Sequence, residues 1–110
     1  MVEVWFREDG RKRLSSFLAS GHAGWADAGD DVVCGAVSAI LQSAWLGLSE
    51  VAKVAVTATR ENGRLEVRWP EAARGDVATA AIARTAALSI AQIARQFPDH
   101  VRVVYEREGG

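Results

Sequence analysis

His22 and Cys34 stand twelve positions apart in the stretch GHAGWADAGDDVVCGAV, residues 21–37, and Cys34 is the chain's one cysteine. Imidazole and thiol together suit acyl transfer: a thiolate attacks a carbonyl carbon, and the histidine takes the thiol proton and later returns it to the leaving amine. Such a pair asks two things of a fold. The sulfur must sit where its anion is favoured, and the ring must be brought back to it. Asp30 or Asp31 can cap a helix beginning here. With Asp31 as the cap, Cys34 falls third in the helix, within the first turn, where backbone N–H groups lack helical partners and the positive end of the dipole favours thiolate. The same N–H groups can hold an oxyanion, worth about 3 kcal/mol for a well-placed donor. Ser38 lies one turn beyond on the same face, within reach of the sulfur or of a water.

The segment between the pair carries Gly24 and Gly29, which make it conformationally permissive, and Trp25, which offers one large apolar group to a substrate. From these residues we expect an unliganded site that is incompletely formed and that a bound peptide closes. Each residue also has a plain structural reading. An unbridged cysteine is among the most buried residue types, so composition alone favours an inert core Cys34. Gly21 to Gly24 can be a tight turn with His22 bonded locally. Ser38 can return its hydroxyl to the Cys34 carbonyl. Asp30 and Asp31 are caps first and orienters of His22 second. Trp25 can be core, as Trp5, Trp45 and Trp69 are expected to be. One cysteine, two histidines and scattered carboxylates do not make a structural zinc pattern, and no phosphate-cradling or dinucleotide glycine motif occurs; neither metal nor cofactor is expected. His100, beside Asp99 after Pro98, reads as solvated.

The elements that must position the pair follow from periodicity. Val2, Val4 and Phe6 alternate with polar neighbours as in a strand with one buried face, and Asp9-Gly10 turns the chain into a return strand over 13–20. Val33, Val37, Ile40, Ala44 and Leu48 recur at helical spacing, predicting a helix that ends near Gly47 to Ser49. A second hairpin runs from a strand over 53–60, with Val54, Val56 and Ala58 on one face, through Asn62-Gly63 to Leu65, Val67 and Trp69. Asp76 is then a cap for a helix whose buried stripe is Ile82, Ala86, Ile90, Ile93 and Phe97, stopped by Pro98. Val101, Val103 and Tyr105 mark a last strand before a frayed tail over 106–110. The order ββαββαβ predicts a two-layer α+β domain, one unit over residues 1–110, with both helices on one face of the sheet.

Composition bounds what such a domain does. Thirteen Lys and Arg against fourteen Asp and Glu leave a formal charge of -1, so there is no whole-chain positive field for nucleic acid, and the basic run Arg11 to Arg13 reads as a solvated hairpin tip. The apolar stretches read as interrupted by charge before they can span a bilayer. A lone cysteine without a signal-peptide pattern points to the cytoplasm.

Gly21-His22-Ala23-Gly24, then Asp31-Val32-Val33-Cys34 and Ala36-Val37-Ser38-Ala39, and later Gln96-Phe97-Pro98 before a valine-rich strand, resemble the ribosomal-processing cysteine protease family Prp over effectively the whole chain. The resemblance implies a cytoplasmic, homodimeric α+β cysteine endopeptidase without cofactor. It implies removal of a short N-terminal extension, with paired phenylalanines followed by a small residue, from the twenty-seventh protein of the large ribosomal subunit. On that footing Cys34 matches the nucleophile and His22 the general base and acid. Asp31 and Ser38 match supporting positions, and Gly21, Gly24 and Trp25 a substrate-binding loop. Trp25 stands where the family commonly has Tyr, and Gly35 where Ala is common. The alternative from another class is a noncatalytic ribosome-associated module that binds the same peptide without cutting it.

Overall fold

The computed structural model describes residues 1–21, 31–61 and 63–108, residue 31 by its backbone. Strands β1 (Val2–Glu8) and β2 (Leu14–Ser20) lead to helix α1 (Asp31–Leu46). Strands β3 (Thr57–Glu61) and β4 (Arg64–Arg68) lead through a short helix, α2 (Glu71–Arg74), to the long helix α3 (Val77–Gln96) and the last strand, β5 (Val101–Arg107). The five strands form one sheet in the order β3-β4-β2-β1-β5, antiparallel except for the parallel β1–β5 pair. The predicted order ββαββαβ and the two-layer α+β architecture are those observed, with α2 as a small addition.

Register follows from which residues must be dry. Phe6 is opposite Phe17 on β2 and Tyr105 on β5, Phe17 is opposite Val67 on β4, and Val4 is opposite Ala19 and Val103. This pleat face, with Val2, Leu65 and Val101, joins Val33, Val37, Leu41, Ala44 and Leu48 of α1 and Ala83, Ala86, Ala87 and Ile90 of α3 in a single core. Burying a side chain the size of Val, Leu or Phe is worth about 1.5–3 kcal/mol, and a slip of one residue would turn the whole row to water. The open face carries a charged lattice instead. Arg7 bonds Glu106 at 2.8 Å and, across β2, Glu66 at 3.0 Å, while Arg68 bonds Glu108 at 2.8 Å. The hydrogen bond to Glu106 raises the Arg7 pKa further, against the opposing effect of burial. Exposed pairs of this kind contribute about 0–1 kcal/mol each, so the apolar row and not the lattice sets the register.

Several expectations change against the structure. Strand β3 starts at Thr57, four residues later than predicted at Lys53, and all five of its residues are exposed. Val54 is buried ahead of the strand, but Ala58 is not, because β3 lies at the edge beyond the reach of the helices. The α1 helix stops at Leu46, next to the predicted end near Gly47 to Ser49, and a wider turn that was not expected follows over Gly47–Val51, closed by the Ala52 N–H on the Gly47 carbonyl five residues back. Asp76 precedes α3 but its side chain makes no capping bond. Phe97 is 43% exposed instead of closing the α3 stripe, since Pro98 turns the chain away there. The expected frayed tail is strand as far as Arg107, and Glu108 is held by the Glu8 carbonyl, Ser15 and Arg68. Trp69 is core, whereas Trp5 is half-buried on the open face and Trp45 packs partly buried beneath Arg60.

Charge does not interrupt the apolar stretches as expected either. Val32–Val51 and Val77–Gln96 are both long and apolar enough to cross a membrane, with mean hydropathies of 1.6 and 1.4. In this fold that apolarity serves the sheet, on which each helix lays one face.

Of the basic run, Arg11 and Lys12 are exposed at the hairpin tip as expected, whereas Arg13 is half-buried. Asp9 accepts bonds from the Arg11 and Arg13 backbone N–H groups and from the Arg13 guanidinium, and Arg74 reaches it at 3.4 Å. Burial alone would raise the Asp9 pKa, but these bonds outweigh it and hold the carboxyl below the usual carboxylate range. A depressed folded pKa stabilises the fold above the unfolded value of 3.8, and the contribution fades as pH falls below that value. Thermal melts from pH 7 to pH 2 are expected to show Asp9→Asn less stable than the parent at neutral pH, with the gap narrowing below about pH 4.

Candidate functional site

Two described segments flank the residues expected to carry the chemistry. The first is the end of β2. Ser20 pairs with Glu3, and Gly21 follows in a left-handed conformation, φ 96°, beneath the first residues of the chain. A β carbon on Gly21 would collide with the Met1 carbonyl oxygen and lie 3.2 Å from Val2 Cα. Only glycine accepts both the torsion and the close approach, so the chain leaves β2 in a fixed direction toward His22.

The second segment is the first turn of α1. The helix begins at Asp31, so Cys34 is its fourth residue, one place later than the cap at Asp31 predicts. It remains within the first turn. Val33, Val37 and Leu41 face the sheet, and Cys34 lies among them, 7% exposed. Ser38, also 7% exposed, is one turn on, and its Oγ accepts a 2.6 Å bond from Gln42 Nε2. That bond orients the hydroxyl oxygen and leaves its hydrogen free to be donated elsewhere. Gly35, the departure expected to loosen the helix, is helical and exposed, with open space where a β carbon would stand.

His22, Gly24 and Trp25 lie outside the described residues, as does the expectation of a loop closed by peptide, and the Asp31 side chain is likewise undescribed. Among the described residues no three His, Cys, Asp or Glu side chains converge on a point that a metal ion could occupy. His100, read from the sequence as solvated, is half-buried and stands edge-on to Phe97 at 6.3 Å; its carbonyl accepts the Val2 N–H.

A groove of about 710 Å³ runs between α1 and α3, lined by Ala39, Ser43, Gly47, Ile82, Thr85 and their neighbours. It contains neither Cys34 nor Ser38, and no charged residue lines it. Ile40, Ala44, Ile82 and Ala86, which the helical spacing marked for the core, form part of its walls, beside small residues such as Ala39, Ser43 and Ser89.

Residues 1–102 match the model of the family described as cysteine protease Prp. The chain belongs to that family. Solved structures share its fold. SMU.848 from Streptococcus mutans superposes with a TM-score of 0.89 at 22% identity, covering 98% of this chain and 96% of that one. The ribosomal processing protease Prp of S. aureus, in complex with a covalently linked product peptide, gives 0.79 at 18% identity over 96% and 99% of the two chains. The same S. aureus protein with a substrate peptide gives 0.80 at 17% over the same shares. No curated protein matches.

Two stability measurements follow from these segments. Gly21→Ala is expected to destabilise by at least about 1 kcal/mol, from the positive φ and the collision, seen as a lower melting temperature. Gly35→Ala, which meets open space in a regular helix, is expected to stabilise by about 0.5–1 kcal/mol in denaturant titrations.

Proposed function

We propose that this protein is a cysteine endopeptidase that removes the N-terminal extension of the twenty-seventh large-subunit ribosomal protein, with Cys34 as nucleophile and His22 as general base and acid. One observation carries the reading: the single cysteine of a cysteine-protease family chain lies in the first turn of a 16-residue helix. His22 takes the thiol proton and the sulfur adds to the scissile carbonyl carbon. N–H groups of the α1 first turn stabilise the oxyanion, and the intermediate collapses as His22 protonates the departing amine. Water activated by the same imidazole then hydrolyses the thioester and restores the thiol. Ser38 and Asp31 have supporting roles, the first by orienting the sulfur or a water and the second at the head of the helix. Gly21 fixes the exit from β2, and Gly24 and Trp25 form the peptide-binding loop.

The substrate class is supported by the S. aureus relative, whose structures hold a substrate peptide and a covalently linked product peptide. We further propose that the protein is cytoplasmic and homodimeric. The uncharged α1–α3 groove, with Val32, Leu46, Val51 and Val77 exposed on the same two helices or the turn after α1, is apolar surface suited to a second copy.

The test is cleavage of a peptide carrying the extension, followed by mass spectrometry. Cys34→Ala is expected to abolish cleavage while keeping peptide binding, and His22→Ala to lower turnover by at least about a hundredfold with the fold intact by circular dichroism. Cleavage that survives Cys34→Ala overturns the mechanism, and binding without cleavage by the unmodified protein establishes the noncatalytic module.

A further inference from the structure

We propose that the cleft bounded by the β1–β2 turn, α2 and the first turns of α3 binds a phosphate-class oxyanion, at a site separate from Cys34 and His22. The cleft holds about 160 Å³ and is lined by Lys12, Arg13, Arg74 and Arg84 over a floor that includes Trp69 and Ala80. None of its lining residues is acidic. The neighbouring carboxylates are Asp9, bonded to Arg13 and Arg74, and Glu71, 3.6 Å from Arg13. Glu8, which lines the adjoining cleft with Leu14 and Arg84, and Asp76 at the head of α3 are further carboxylates nearby, so the cationic excess is confined to the lining itself, which holds four cations and no carboxylate.

The cations are held in place, which distinguishes the cleft from a solvated charge run. Asp9 fixes Arg13 through its Nε and Nη2 atoms, and the remaining Nη1 lies near Gly75 on the cleft side of α2. Arg74 is clamped by the Trp69 carbonyl at 3.2 and 3.1 Å. Trp69 is itself 2% exposed and anchored by its indole N–H on the Leu14 carbonyl. Lys12 is held at φ 64°, a left-handed torsion where glycine or asparagine would cost less, yet the sequence keeps a lysine there. Arg84 projects from the second turn of α3, whose first-turn residue Ala80 also lines the cleft and whose head carries Asp76 without a capping side-chain bond. Forked guanidiniums with an ammonium match the several acceptor oxygens and double charge of a phosphate better than they match chloride.

The experiment titrates inorganic phosphate into the intact protein at constant ionic strength, with chloride as the balancing anion, and follows backbone amide resonances. Saturable shifts centred on Lys12, Arg13 and Arg84 are expected. Lys12→Gly and Arg84→Gln are each expected to weaken phosphate on the order of tenfold, the loss of one charge-assisted contact. Lys12→Gly relieves the torsion, so its melting temperature should hold or rise while affinity falls, which separates binding from folding. Shifts that grow without saturation and equal those in chloride overturn the proposal, as does unchanged affinity in the double variant. A single-stranded RNA oligonucleotide that displaces phosphate from the same amides identifies a polymer phosphate as the source; one that does not assigns the site to the free anion.

Discussion

Everything in this fold is fitted to one pleated surface. The alternation along β1 and β2 sends Val2, Val4, Phe6, Phe17 and Ala19 to the same side, and both long helices lie there because nothing else among the described residues offers them a dry face. Cys34 is drawn into that arrangement. It shares the α1 face that the sheet buries, so the packing that builds the helix also decides where the sulfur is held. The proposed catalytic position and the core position coincide, which is why an inert and a reactive reading of this residue look alike from composition.

The elements that depend on a repeating period were legible in the sequence. Val33, Val37, Ala44 and Leu48 are buried as their spacing requires, and Val2, Val4 and Phe6 alternate as a half-buried strand must. What was not legible came from interactions without a local period. Glu108 is pinned by Ser15 and Arg68, which are 93 and 40 residues away. Arg13 looked like part of a solvated run until its Asp9 and Glu71 partners were in place. Thr57 to Glu61 form a strand with no buried residue, because edge pairing alone holds them. Phe97 obeys the helical period but lies where Pro98 has already bent the chain.

Of the pair read from the sequence only Cys34 lies among the described residues, at the head of α1. Of the two caps read from the sequence, Asp30 or Asp31, the second put Cys34 third in the helix, and the observed start at Asp31 makes it fourth, because helix starts are set by backbone geometry that a single aspartate does not fix. The cationic cleft gave no signal, since Lys12, Arg74 and Arg84 come from three elements and converge only through the tertiary fold.

The turn at Gly21 ties the chain's first residue to the point from which the imidazole-bearing segment departs. The Met1 carbonyl sits where a β carbon of Gly21 would go, and the Val2 amide is tethered to the His100 carbonyl. Anything fused ahead of Met1, an affinity tag included, therefore bears directly on the exit from β2.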